Sequence, residues 1–182
     1  MDKDVIDLLK TATELVNSFN KKADSYLPQK IVDIVKLHSG MAVASSFIPV
    51  PGADLAACAT AIWSMYIRIN NALGLSFSEN VMKTIAGGVA TNLSAYAVGL
   101  GIGSLLKFIP GIGTIGGIAL IASIQYALTL TSGYVYMKAL ILLAQVDGKN
   151  IRESDLSSAT ERVFKDKSTQ DFFNTAKNSY KK

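Results

Sequence analysis

Apolar and polar positions follow a helical period at both ends of the chain and give way to long apolar runs between them. Apolar residues recur on one helical face from Val5 to Phe19, and the same spacing resumes after Pro28, which suits a first helical turn. A third helix is predicted over residues 53–74, which end on glycine, and two short amphipathic helices are predicted after Gly148. No stretch alternates convincingly with period two, so the pattern predicts an all-α fold.

Short polar motifs predict where two of the later helices begin. Ser76 and Glu79 have the spacing of a capping box, so a fourth helix is expected to begin near Phe77. Ser168 and Asp171 are expected to cap the last helix.

The central part of the chain is nearly free of charge. Residues 39–146 contain six charged side chains, where an average soluble domain of that length would contain roughly 27. Two runs inside it, Thr84 to Leu106 and Phe108 to Met137, contain none. Each is longer than the about 20 residues that a spanning helix needs, so together they are predicted to form a membrane hairpin.

The sequence Phe-Ile-Pro occurs twice, each time between long apolar stretches. Proline cannot continue the incoming helix and a following glycine lets the chain reverse, so each motif is predicted to join two antiparallel helices. Aligning the two motifs also matches Gly40 with Gly101 and Ala61 with Ala122, which leaves both an internal duplication and convergent turns open. The turn residues are Phe47, Ile48, Pro49, Pro51, Gly52 and Asp54 in the first motif and Lys107, Phe108, Ile109, Pro110, Gly111 and Gly113 in the second.

A chain of 182 residues is expected to form a single domain. We divide it into amphipathic N-terminal helices (1–36), an apolar core of two long antiparallel helical hairpins (37–146) and polar C-terminal helices (147–182). The net charge of +4 is small and scattered, so no nucleic-acid partner is predicted. The opening MDKDVIDLLK lacks the apolar core of a signal peptide, so the chain is expected to begin in the cytoplasm.

Residues with catalytic or ligand-binding potential are few, and no catalytic, cofactor-binding or metal site is predicted. Gly111, Gly113 and Gly116 match the dinucleotide-binding fingerprint, but a proline precedes them and no acidic residue follows at the required distance, so a hairpin turn is the preferred interpretation. His38 and Cys58 are the single histidine and the single cysteine, which excludes His-rich zinc sites and an intramolecular disulfide.

Small residues in the apolar middle predict close contacts between helices. Gly99 and Gly103 have the GxxxG spacing that lets two helix backbones approach, and the run from Ala86 to Gly88 is interpreted in the same way. Glycine costs about 1 kcal/mol of helix propensity relative to alanine, so these helices need tertiary or lipid contacts to hold them.

Two motifs resemble those of a known family. The stretches IPVPGADLAA (48–57) and GLGIGSLLKFIPGIGTIGG (99–117), each leading into a helix, resemble the YcjF-like domain of unknown function over roughly residues 36–146. That resemblance implies a helical, membrane-associated bacterial module without enzyme activity, of a kind also found fused to Era-like GTPases. This chain has no GTPase domain, so a GTPase would have to be a separate partner protein.

Three functions are compatible with the sequence. The first is a non-enzymatic module of the bacterial inner membrane, with its charged ends in the cytoplasm, that recruits or regulates a protein partner such as a GTPase. The second is a pore-forming effector that is soluble until its glycine-rich hairpin inserts. The third is a soluble cytoplasmic helical interaction domain. A lipid bilayer is the partner expected first, no cofactor is expected, and homo-oligomerisation stays open.

Overall fold

The described residues form seven α-helices and no strand, which confirms the all-α prediction. The computed structural model describes residues 2–21, 24–45, 53–99, 115–147 and 151–180. In chain order the helices are α1 (Lys3–Ser18), α2 (Leu27–Ser45), α3 (Ala53–Leu73), α4 (Glu79–Gly99), α5 (Ile115–Asp147), α6 (Glu153–Phe164) and α7 (Lys167–Ser179).

Helix α5 is the centre of the fold, and the other six helices surround it. Its 33 residues make it about 50 Å long. Around it, α1 packs on α2, α2 on α3, α3 on α4 and α4 on α6, and α7 follows α6 and packs on α1. The two predicted hairpins are therefore not equivalent, because one strongly apolar helix fills the centre and the other three hairpin helices lie against it.

The directions of α2 to α5 place both Phe-Ile-Pro connections at the same end of the bundle. Helices α3 and α5 run parallel, since Cys58 Sγ lies 3.6 Å from Thr129 Oγ1 and, farther along both helices, Asn70 Oδ1 accepts a hydrogen bond from Tyr136 Oη at 2.6 Å. Helix α4 runs the other way, because Met82 near its start lies against Asn70. The last turns of α2 and α4 thus share one end with the first turns of α3 and α5. We call this the turn end.

The predicted turns themselves fall largely outside the described residues. This applies to residues 46–52 and 100–114, which include Gly103, Leu106 and the whole second turn. Asp54 lies in the first turn of α3, and Gly99 is the last residue of α4. The roles predicted for these residues stay predictions.

Helix α3 ends as the sequence predicts. Gly74 has a φ of +65°, a left-handed conformation that glycine adopts without strain. The N–H of Leu75 donates to Asn70 O at 2.9 Å and that of Gly74 donates to Asn71 O at 3.3 Å, which together form a Schellman motif. The predicted stop is confirmed at the level of individual hydrogen bonds.

The two predicted helix caps are wrong. Helix α4 begins at Glu79, and Ser78 rather than Ser76 caps it, since Ser78 Oγ accepts from the N–H of Val81 at 3.4 Å. The reciprocal carboxylate is Glu153 of α6, which accepts from both the backbone N–H and the hydroxyl of Ser78. At α7, Asp166 is the cap and accepts from the N–H of Ser168 at 3.0 Å.

A second serine–carboxylate contact joins the first helix to the last. Asp4 is buried, and its Oδ2 accepts a hydrogen bond from Ser179 Oγ at 3.0 Å. Beside it, Tyr126 of α5 and Tyr180 have their ring centroids 5.2 Å apart. This contact closes the ring of helices around α5.

The core of the bundle contains a stacked pair of tyrosines. Tyr66 and Tyr136 are fully buried, with ring centroids 4.0 Å apart and ring planes 12° apart. Tyr66 Oη donates to the Ser132 carbonyl at 3.2 Å, and Tyr136 Oη donates to Asn70 Oδ1. Each hydroxyl is therefore satisfied inside the protein, as burial requires.

Gly133 of α5 lies at a close approach of three helices, and no sequence motif points to it. A Cβ there would lie 2.8 Å from Val35 Cγ1 and 3.4 Å from Met65 Sδ. Gly87 and Gly88 have no heavy atom within 4 Å of such a Cβ. The close contact predicted at Gly87 and Gly88 is therefore wrong, because a Cβ at either position would lie in open space, whereas the neighbouring Ala86 is buried in the core.

Replacing Gly133 with alanine is expected to destabilise the protein. The added methyl group overlaps a β-branched valine that has one favoured rotamer in a helix, and such overpacking costs about 1–3 kcal/mol. Gly87→Ala is the matched control, and it should gain about 0.5–1 kcal/mol from helix propensity. Thermal unfolding followed by circular dichroism measures both variants; equal midpoints for the two would contradict the packing argument.

Candidate functional site

Charge is divided unequally along α2 to α5, and the contact among Val35, Met65 and Gly133 marks the division. On the turn-end side of this contact lie residues 37–45, 53–64, 84–99 and 115–132, which we call the apolar half. The one charged residue in these ranges is Asp54. The remaining part of the same four helices is shorter and carries eight charges: Lys30, Asp33, Lys36, Arg68, Glu79, Lys83, Lys138 and Asp147.

The outer surface of the apolar half is made of small, apolar or internally bonded side chains. Leu37 and Met41, one turn apart on α2, are 51% and 52% exposed. The other exposed positions are Gly40, Ala44, Ala56, Thr60, Thr84, Gly88, Thr91, Asn92, Ala95 and Ala119. No described side chain on this surface is charged.

The exposed threonines of this surface use their hydroxyl groups within their own helices. Thr60, Thr84 and Thr91 each donate to the carbonyl four residues earlier, at 2.8 to 2.9 Å. A hydroxyl satisfied in this way does not need water, and the pattern is common in membrane helices. Asn92 is different, since it lies beside Thr160 and Phe164 of α6 in a small crevice.

Polar side chains of α5 in the apolar half point into the bundle. Ser123, Gln125, Thr129, Thr131 and Ser132 are all buried. Ser123 and Ser132 donate to carbonyls of their own helix at 2.8 and 2.9 Å. Polar side chains in this half therefore lie in its interior as well as on its surface.

His38 and Cys58 are also buried in the apolar half. His38 Nδ1 lies 2.7 Å from the Ile34 carbonyl, and burial lowers the pKa of His38. Cys58 lies beside Thr129 of the central helix. Both side chains thus pack in the core of the bundle.

Helices α1 and α7 cover one side of the apolar half. Asp4 and Ser179 meet at the level of Tyr126, so the part of α5 that precedes Tyr126 extends about 16 Å beyond these two helices toward the turn end. At the opposite end, Lys138 of α5 pairs with Glu14 of α1 at 3.2 Å. Helices α1 and α7 therefore do not cover the turn end.

One described helix is long and apolar enough to cross a membrane. It is the segment Ala119–Val146 of α5, with a mean hydropathy of 1.4, and 83% of its 18-residue window is buried inside the protein. The described part of α4, where Thr84 begins the other uncharged run, does not reach that hydropathy. Met137, at the end of the predicted membrane hairpin, is fully buried in the bundle.

Comparison with known proteins gives a distant relative. No protein-family model matches the chain, and no solved structure matches it significantly. Magnetosome membrane protein 22 of Magnetospirillum gryphiswaldense is 31% identical to it over 107 residues, which are 58% of this chain and 55% of the relative. The chain is distantly similar to a magnetosome membrane protein. It spans about half the length of that relative.

Proposed function

We propose that this chain is a non-enzymatic helical module of a bacterial membrane, which embeds its apolar half in one leaflet and presents its charged helices to the cytoplasm. The observation that carries the proposal is the division of charge along α2 to α5, with Asp54 alone in the apolar half and eight charges in the shorter remainder. Charged side chains are expensive in hydrocarbon, so such a division follows the boundary between lipid and water.

Two further observations support a membrane location. The distant relative is named as a membrane protein, and one helix of this chain has the length and hydropathy of a membrane span. That helix is sheathed by its neighbours in the bundle, so we propose one-sided insertion of the turn end and not a bilayer crossing by α5. The exposed Leu37 and Met41 would then face acyl chains.

The charged helices α1, α6 and α7 are the proposed surface for a protein partner. Residues 1–36 and 147–182 hold 26 of the 32 charged residues, and the resemblance to YcjF-like domains favours a GTPase as this partner. The bilayer itself is the first partner of the module. Recruitment of a soluble protein to the membrane surface needs no catalytic group.

Membrane fractionation tests the proposal. The chain is expressed without detergent, and the membranes are washed with carbonate at high pH and then with detergent. We expect the protein in the membrane pellet after carbonate and its release by detergent only. A clean monomer in the detergent-free supernatant, with no binding to added vesicles, would overturn the proposal and favour a soluble interaction domain.

The burial of α5 favours one second candidate. A long apolar helix held inside a shell of amphipathic helices is suited to leave that shell and insert, which is how a latent pore former would work. Release of a trapped dye from anionic vesicles by the purified protein between pH 4 and 8 would favour this function over passive anchoring.

A further inference from the structure

Trp63 is the single tryptophan of the chain and lies at the edge of the apolar half. It is partly exposed on α3, and Lys83 Nζ of α4 lies 4.7 Å from its ring centroid. Glu79 Oε1 is 3.7 Å from the same ammonium nitrogen. The lysine thus contacts both an aromatic ring at the apolar boundary and a carboxylate in the charged part of the helix.

Leu37 lies at the same level of the bundle as Trp63. Val35 and Met65 both meet Gly133, and α2 and α3 run in opposite directions. Leu37 follows Val35 by two residues and Trp63 precedes Met65 by two, so both lie about 3 Å nearer the turn end. Lys36 is exposed directly beside Leu37. Leu37 on α2 and Trp63 on α3 therefore lie at one level of the bundle, and Lys36 on α2 and Lys83 on α4 lie on the polar side of that level.

The charges closest to this level on α2 and α4 are positive. Lys36, Arg68 and Lys83 are exposed within about 8 Å of it along their helices, and the acidic residues Asp33 and Glu79 lie about one turn farther from the turn end than Lys36 and Lys83. Tryptophan and lysine are enriched where membrane proteins cross the headgroup region, and basic residues bind anionic leaflets. Charge complementarity thus favours an anionic phospholipid surface over a second copy of this chain, whose same level would be positive too.

We infer that Trp63 and Leu37 mark the depth at which an anionic phospholipid bilayer meets the bundle, with Lys36 and Lys83 contacting lipid phosphate groups. The inference rests on the proposed function and adds a depth and an orientation to it. The bundle would enter the membrane tilted, with the turn end inward and the side that α1 and α7 cover turned toward water. Met41, four residues beyond Leu37, would lie about 6 Å deeper.

Fluorescence of the native Trp63 measures this depth without any substitution. Vesicles of phosphatidylglycerol and phosphatidylcholine are prepared with quenchers at the headgroup level, at the middle or near the end of the acyl chains. We expect a blue-shifted emission on binding and the strongest quenching from the headgroup-level probe. Strongest quenching from the chain-end probe, or no quenching by any probe while the protein is vesicle-bound, would overturn the inferred depth.

Paired charge removal tests the phosphate contacts. Lys36→Gln with Lys83→Gln should lower partitioning into the same vesicles by about 20-fold, since a basic residue near an anionic surface contributes about 5-fold. The matched control is Lys30→Gln with Arg152→Gln. Lys30 matches Lys36 because both are on α2. Arg152 matches Lys83 because each is in an ion pair within its own segment, Arg152 with Asp155 at 2.8 Å and Lys83 with Glu79 at 3.7 Å. Both double variants lose the same net charge, and the control should change partitioning by less than about 3-fold.

The outcomes separate this inference from the proposed function. Vesicle binding that the two double variants weaken equally would keep the membrane module and refute the phosphate contacts. If the Lys36 and Lys83 variant changes the oligomeric state in light scattering and leaves vesicle binding intact, the surface is an interface between copies and the inference is wrong. Absence of vesicle binding by the unmodified chain refutes both.

Discussion

Replacing Tyr136 with alanine is expected to lower the free energy of unfolding by about 4 kcal/mol, the largest loss we expect from one substitution. The change removes a fully buried ring of the central helix, its stacking on Tyr66 and its hydrogen bond to Asn70. Chemical denaturation followed by far-ultraviolet circular dichroism, in the same detergent for all variants, measures the loss.

Two further variants separate the causes of that loss. Tyr136→Phe keeps the ring and removes the donor to Asn70 Oδ1, so it should cost about 1–3 kcal/mol. Tyr26→Ala truncates a tyrosine that is 82% exposed and should change stability by less than about 0.5 kcal/mol. If Tyr136→Ala cost no more than Tyr136→Phe, the stacked tyrosine pair would not organise the core.

The second large effect concerns membrane binding. Met41→Asp is expected to reduce partitioning into anionic vesicles by about 10- to 100-fold, because it removes an apolar contact and places a carboxylate in the acyl-chain region. Vesicle sedimentation at several lipid concentrations measures the partition coefficient.

Val146→Asp is the matched control for Met41→Asp. Val146 is 78% exposed, near the end of α5 farthest from the turn end, and should remain in water. Its substitution adds the same charge and should alter partitioning by less than about 2-fold. Equal losses for the two variants would mean that net charge, and not the position of the apolar half, controls binding.

Features that depend on local sequence were predictable. Helix α1, the start of α2 near Pro28 and the stop at Gly74 follow from apolar spacing and backbone preferences, and the structure confirms each. The amphipathic helices α6 and α7 bury Leu156 and Phe173 as their spacing predicts. In these cases the residues within one or two helical turns determine where a helix starts or stops and which face it buries.

Features that depend on distant contacts were not predictable. The carboxylate that completes the cap of α4 comes from Glu153, 75 residues after Ser78, whereas the local spacing of Ser76 and Glu79 predicts a different cap. Gly133 stands alone in a β-branched and aromatic stretch, and its role arises only because α2 and α3 both approach α5 there. The sequence predicted only part of the apolar half. It shows which runs are uncharged, but it does not show which ends of α2, α3, α4 and α5 lie together.

The two serine–carboxylate contacts lie where neighbouring helices of the ring are not consecutive in the chain. Ser78 and Glu153 join α4 to α6, and Asp4 and Ser179 join α1 to α7. Both contacts flank the same two-helix arm, α6 with α7, whose covalent connection to the bundle is the segment after α5. The two contacts therefore hold both edges of this arm to helices that are 75 and 175 residues away in the chain, in addition to the packing of the arm on α5.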